Sequence, residues 1–228
     1  MRLIIALCCF STFAMNTVKV GLFALEPYAK MVDGNPQGIM YQFLNEVDEE
    51  MSDVKFRYDV FPYNRMINQL KGGDIELAVF YENNKAGTNE LKAFETLGNI
   101  NYIIGATLYS KDIEKLKLGL IRLASYGPEI DDIAQDKKIF LKTYDQGIKM
   151  LKYRRISHLV IPSTTFYDYC KKNSLECEKD IFKNKTRVNE KNNWVHVKNI
   201  SLEVQRKIKQ AHDKVIKKKK YQYLHDLL

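Results

Sequence analysis

The chain has 228 residues, 45% of them hydrophobic and 28% charged, with a formal net charge of +8. That balance excludes a disordered chain and suffices for one large domain or two lobes of about 100 residues each. The excess charge is densest in "KIKQAHDKVIKKKKYQY", where cations near a helix C-terminus are favoured by the helix dipole. No recognition motif accompanies it, which argues against nucleic acid as a partner. Peripheral membrane contact through this basic C-terminal helix stays open.

The first residues, "MRLIIALCCFSTFAMN", place one arginine before an apolar run over 3–10 and a small-residue patch ending at Ala14. This is the three-part layout of a secretory signal, too short to span a bilayer as a permanent helix. Residues 1–14 therefore read as a cleaved signal peptide and the mature chain as periplasmic, with a buried N-terminal strand as the alternative.

"TVKVGLFAL" (17–25) alternates as a first strand. After the turn "DGNPQG", Met40, Phe43, Leu44 and Val47 fall on one helical face. "VKFRYDVF" is a second strand, and Pro62 opens a helix that buries Met66, Ile67 and Leu70. Gly72 and Gly73 stop it before "IELAVFY", an apolar strand of the kind parallel sheets bury. "NYIIGATLYS" reads as a long strand with Gly105 in its middle.

A second βα series begins near residue 118. "GLIRLASY", "KKIFLKT" and "SHLVIP" are strands; "PEIDDIAQ", "YDQGIKMLKYRR" and "STTFYDYCKK" are helices, the last opened by hydroxyl caps. A variable charged stretch (178–192) leads to the strand "WVHVKN". Ser201 then caps a helix facing inward through Val204, Ile208, Ala211 and Val215. The architecture is two α/β lobes.

Without the signal, two cysteines remain, Cys170 and Cys177, and an exported chain favours a disulfide between them. Seven residues of straight helix would hold the Cα atoms about 10 Å apart, too far to bridge. The Asn173-Ser174 pair can end the helix and fold the chain back.

In its order of segments the chain resembles the family 3 extracellular solute-binding proteins, the periplasmic receptors of polar amino-acid ABC transporters. The resemblance rests on "PYAKMVDGNPQGIMYQFLNEV", "FPYNRMINQLKGGDIELAVF", "RISHLVIPSTTFYDY" and the helix after "WVHVKN". It implies a two-lobed periplasmic-binding-protein-like (type II) fold, each lobe a mostly parallel sheet flanked by helices. The implied division is 15–106 for lobe 1, 107–193 for lobe 2 and 194–228 for the return to lobe 1. Crossings between the lobes fall near 103–108 and 190–196.

The same resemblance implies that strand ends face a ligand cleft at Tyr28, Tyr63, Arg65 and Tyr81. Aromatic rings there can stack on a ligand and a cation can pair with its acidic group. Each also has a plain alternative: rim packing for Tyr28 and Tyr63, an ion pair with Asp59 or Glu82 for Arg65. Ser163, Thr164 and Thr165 are either a helix cap or an anion cradle, and the two roles are compatible.

The family's carboxylate-clamping arginine falls at Lys92, its ammonium-binding acid at Ser163, and its carboxylate-holding turn, loosely, at Ser125 in "ASYGP". An α-amino acid would therefore lack its usual ion pairs, and the expected ligand is a small polar or anionic solute. No nucleophile elbow, P-loop, dinucleotide fingerprint or metal-binding His pattern is present. The expectation is a monomeric binding protein with no cofactor and no metal, serving an ABC permease. A sensor module on the same fold and, less directly, a dehydratase-like enzyme are the alternatives.

Overall fold

The computed structural model describes residues 15–81, 87–105, 117–122, 124–173 and 185–228. The expected signal peptide, Glu82 and Cys177 lie outside the described residues.

The first half of the chain builds β1 (Asn16–Phe23), a short hairpin of β2 (Lys30–Val32) and β3 (Asn35–Gln37), α1 (Ile39–Glu49), β4 (Val54–Phe61), α2 (Tyr63–Gly72) and β5 (Leu77–Tyr81). The long β6 (Lys92–Gly105) leads to β7 (Leu118–Ile121), α3 (Pro128–Asp131), β8 (Lys138–Leu141), α4 (Tyr144–Lys152), β9 (His158–Pro162) and α5 (Ser163–Asn173). A second long strand, β10 (Lys185–Val197), returns to α6 (Leu202–Lys219) and a 3-10 turn over Leu224–Leu227.

Eight strands form one sheet in the order β4-β1-β5-β10-β6-β9-β7-β8. β1 pairs in parallel with β4 and β5, and β7 in parallel with β8 and β9. Between these parallel halves run β10 and β6, antiparallel to each other. Residues 193–197 of β10 join β5, and residues 101–105 of β6 join β9, so these two strands carry the chain between the halves.

Alternation along the strands sends side chains to both faces, as a sheet covered on each side requires. In β5, Leu77 and Val79 enter the cluster beneath α1 and α6, whereas Ala78 and Phe80 pack with Met66, Ile67 and Leu70 of α2. In β9, Leu159 and Ile161 face Ile148 of α4, and Val160 faces Ile130 of α3. Ser201 caps α6 by accepting from the Val204 N–H. The buried face of that helix is Ile208, Ala211, His212 and Val215, with Val204 only partly covered.

The structure corrects several segment boundaries. Residues 185–192, read as part of a charged connection, belong to β10, because pairing with β6 satisfies their backbone whatever the side chains. "DGNPQG" lies in the β2–β3 hairpin rather than a simple turn. The strand in "GLIRLASY" stops at Ile121, which puts Arg122 past its end. β6 starts at Lys92, well before the expected "NYIIG", and is described as far as Gly105, the rest of the expected strand lying outside the described residues.

Candidate functional site

Where the carboxyl ends of the parallel strands from both halves meet, a cavity of about 220 Å³ opens. The first half contributes Phe23 ending β1 and Leu25 after it, Tyr28, Pro62 and Tyr63 where β4 gives way to α2, and Phe80-Tyr81 at the end of β5. The second contributes Ile121-Arg122 after β7, Ser125 and Tyr126, Lys142 after β8, and Tyr144 opening α4. Strand ends in open α/β sheets are where side chains are free of the ladder and converge, so a ligand crevice is expected there.

The first-half wall is aromatic. Phe23 packs on Tyr28 with ring centroids 5.0 Å apart and meets Tyr63 edge-on at 6.1 Å. Tyr63 in turn meets Phe80 edge-on at 6.1 Å. These contacts fix ring orientation; Phe80 is buried and stacked on His196 at 3.7 Å, so Phe23 and Tyr63, which are partly exposed, are the rings with surface left for a guest.

Four phenols, Tyr28, Tyr81, Tyr126 and Tyr144, lie close enough to perturb one another's ionisation. Burial is the first cause in each case and holds all four protonated, with Tyr28 pushed up to about 12. Tyr126 Oη accepts from the Ile121 N–H at 3.2 Å and shares one hydrogen bond with Tyr144 Oη at 2.9 Å. Two hydroxyls sharing one bond leave one proton directed elsewhere. The Tyr81 hydroxyl is buried; Asn99 lies close enough to favour its ionised form, but no hydrogen bond of ordinary geometry completes it.

Arg122 and Lys142 supply charge. Each directly follows the last residue of its strand, and those last residues, Ile121 and Leu141, are register partners. The Arg122 N–H donates to the Leu141 carbonyl at 3.0 Å, which continues the strand pairing and keeps the two residues adjacent at the second-half rim.

The cavity brings together Tyr28, Tyr63, Tyr81 and Ser125 of the residues expected from sequence. The other four lie outside its described wall. Arg65 is exposed on α2, its guanidinium over the Phe61 ring at 5.6 Å. Lys92 starts β6 opposite His196, with its ammonium 4.8 Å from the Trp194 ring centroid. Ser163 and Thr164 are fully buried at the start of α5. Both hydroxyls reach Asn99 Oδ1, Ser163 at 3.1 Å, and the Thr164 N–H donates to the same oxygen at 3.3 Å. Asn99 Nδ2 completes the network by donating to Tyr28 Oη at 2.8 Å. Ser125 donates to Asp131 Oδ2 at 2.6 Å.

Sequence reasoning missed Arg122, Lys142, Tyr126, Tyr144 and Asn99. For the two cations the signal existed: the strand-end rule applied to the first half would have found them had "GLIRLASY" been ended at Ile121.

Outside the cavity, Glu26 meets Lys172 at 3.2 Å, linking the segment after β1 to α5. The basic C-terminal helix is bound into the fold's own electrostatics. Lys214 and Lys218 pair with Glu50, Lys219 with Glu46 and Lys207 with Asp53. Among the described residues no helix is long and apolar enough to cross a membrane, and no group of three or more His, Cys, Asp or Glu side chains is placed to hold a metal ion.

No protein-family model matches the sequence, and no curated protein matches it. Many solved structures share its fold. An ABC uptake transporter substrate-binding protein from Streptococcus pneumoniae, solved with bound histidine, superposes with a TM-score of 0.69 at 16% identity, covering 91% of this chain and 90% of that one. A histidine kinase sensor domain with similarity to periplasmic binding proteins gives 0.67 at 14%, covering 91% and 93%. An ancestral arginine-binding protein bound to arginine gives 0.64 at 16%, covering 90% and 98%. At such identities the likeness speaks to architecture: the chain has the two-lobed α/β fold of the periplasmic binding proteins, with the aromatic cavity at the meeting of its halves.

Proposed function

We propose that the protein is an exported solute-binding protein that captures a small polar or anionic solute between its two halves for an ABC-type transporter. The observation that carries this reading is the cavity itself, built from strand ends of both halves of a fold shared with amino-acid-binding proteins. Its walls are phenols, apolar side chains and two rim cations, groups that hold and orient a guest, and the reading is of binding rather than catalysis. Tyr28, Tyr63, Tyr81 and Ser125 belong to this site. Export by the 1–14 signal, a periplasmic location, a Cys170–Cys177 disulfide and a monomeric state go with the same proposal.

The test is a thermal-shift screen of the mature protein against metabolite classes, since a ligand specific for the native state raises its apparent stability. A hit should also reduce the radius of gyration in small-angle scattering, as hinge closure requires. Failure of every class to stabilise the protein would overturn the reading. Capture would equally serve a sensor, because a sensor domain shares the fold. Loss of uptake of the identified solute in a deletion strain favours transport, and unchanged uptake favours sensing.

A further inference from the structure

We infer that the cavity selects a small monocarboxylate with an aromatic or similarly flat apolar body and no ammonium group. The inference rests on the solute-binding reading and names the class of solute.

The head of the ligand is read from hydrogen-bond supply. The Arg122 and Lys142 side chains can only donate, and the Arg122 N–H to Leu141 carbonyl bond keeps the two residues adjacent at one rim. Two phenolic protons add to them: that of the buried Tyr81 hydroxyl, which Asn99 approaches only as a donor, and the one left over by the Tyr126–Tyr144 pair. Donors in excess of acceptors, beside two positive charges, call for an acceptor-only anion.

The counter-charge that an ammonium needs is missing from the described cavity wall. The carboxylate just behind it, Asp131, is already occupied. It accepts from Ser125 Oγ at 2.6 Å, the Tyr126 N–H at 3.0 Å and the Gly127 N–H at 3.3 Å. Ser163 is also spoken for, by Asn99 and by His225 Nδ1 at 3.0 Å. A wider open recess adjoins the cavity past Leu25, Lys142 and Tyr144; Asp145 lines it, as do Glu26 and Asp168, which are both paired with Lys172. An ammonium reaching Asp145 from that recess is the competing geometry.

The body of the ligand is read from shape. Phe23 and Tyr63, partly exposed and meeting edge to face, form an apolar wall backed by the buried Phe80. A volume of about 220 Å³ is below the range of pockets for drug-sized ligands and suits a single ring with a short chain.

Calorimetry with four probes of one shape tests this: 3-phenylpropionate, L-phenylalanine, phenethylamine and 3-phenylpropanol. The carboxylate should bind at least about tenfold more tightly than phenylalanine, the equivalent of one charged hydrogen bond without the stranded ammonium. Phenethylamine should bind least. The double substitution Arg122→Ala and Lys142→Ala should weaken 3-phenylpropionate by about tenfold or more and leave 3-phenylpropanol within about twofold, with an unchanged circular dichroism spectrum showing that the variant folds. Tyr81→Phe should weaken the carboxylate more than the alcohol.

Equal or tighter binding of phenylalanine or phenethylamine overturns the inference, and loss of that binding in Asp145→Asn would locate the reason. If no probe binds but the metabolite screen finds another solute, the inference falls and the binding role stands. If the screen also fails, the binding role falls with it.

Discussion

Replacing Asn99 with alanine should be among the most damaging single substitutions in this molecule. Asn99 has no exposed surface and ties three elements together from β6. Its amide donates to Tyr28, and its carbonyl oxygen collects the Thr164 N–H and the Ser163 and Thr164 hydroxyls. Ser163 keeps alternatives, since its Oγ also meets His225 Nδ1 at 3.0 Å and accepts from the Ile100 N–H at 3.3 Å. The groups that lose a partner are therefore the Thr164 N–H and the Tyr28 and Thr164 hydroxyls, and the two hydroxyls still lie within reach of each other. Each buried group left without a partner costs about 1–3 kcal/mol. Partial rehydration of the space vacated lowers the sum, so about 3–5 kcal/mol is expected. In a chain of this size that is a fall in melting temperature of roughly 10 °C.

Urea unfolding followed by circular dichroism gives the difference directly. Thr164→Val removes one hydroxyl and keeps the N–H, so it should cost about 1–2 kcal/mol. The double variant should cost less than the sum, because both changes remove one shared bond. A loss under about 1 kcal/mol in Asn99→Ala, or strict additivity, would refute the account of a coupled buried network.

Three further outcomes follow from local geometry and charge. A Cβ on Gly105 would stand 2.4 Å from the Ser157 carbonyl and 3.1 Å from the His158 Cα, backbone that cannot move aside. Gly105→Ala should therefore cost about 2 kcal/mol or more in urea unfolding. His212 is buried between Phe43 and Phe94 and hydrogen-bonds Thr96 Oγ1 at 2.7 Å. Burial lowers its pKa below 6.5, against an upward pull from Asp213. The unfolded chain then binds the proton that the folded one resists, so stability is full above about pH 6.5 and falls as pH drops below it. His212→Gln should flatten that slope between pH 7.5 and 5; a slope identical to the parent's would count against it. Lys214 and Lys218, which meet Glu50, are largely exposed, so Lys218→Ala should change stability by less than about 1 kcal/mol.

The fold was legible because its signals are local and repeated. β4 was readable to the residue from "VKFRYDVF", bounded by Asp53 and Pro62. α1 and α2 announced themselves by one apolar face each. Residues 185–192 were not legible, because a strand at the centre of a sheet can be specified by its backbone partner when its side chains are polar and half exposed. Within the site, Tyr28, Tyr63 and Tyr81 followed from the strand-end rule. Asn99 did not, since a polar residue inside a strand carries no sign of what will face it from the start of α5. Thr164 and Ser163 were correctly seen as a helix start, but their partner lies more than sixty residues away in the chain, and no local pattern encodes such a distance.

The contact between Glu26 and Lys172 separates stability from closure. Each side chain is about half exposed, at 54% and 53%, and the pair joins the segment after β1 to α5 at 3.2 Å. Lys172 also meets Asp168 at 2.9 Å, and Glu26 also meets Lys30 at 3.4 Å. Burial pulls the Glu26 carboxyl upward, but Lys172 and Lys30 outweigh it and hold the group below its ordinary range. The pair thus persists through neutral pH and is lost only as pH falls below the usual carboxylate range. Exposed pairs of this kind contribute about 0–1 kcal/mol, which is negligible against unfolding. The proposed opening of the two halves would be a smaller event, and about 0.5 kcal/mol there changes the ratio of closed to open molecules roughly twofold. Lys172→Ala should therefore leave the melting temperature within about 2 °C of the parent while enlarging the radius of gyration of the free protein. High salt should enlarge the parent in the same direction and leave the variant unchanged, because screening removes only what the variant already lacks. A large fall in melting temperature would make the pair a structural element of one half, and an unaltered radius of gyration would deny it any part in closure.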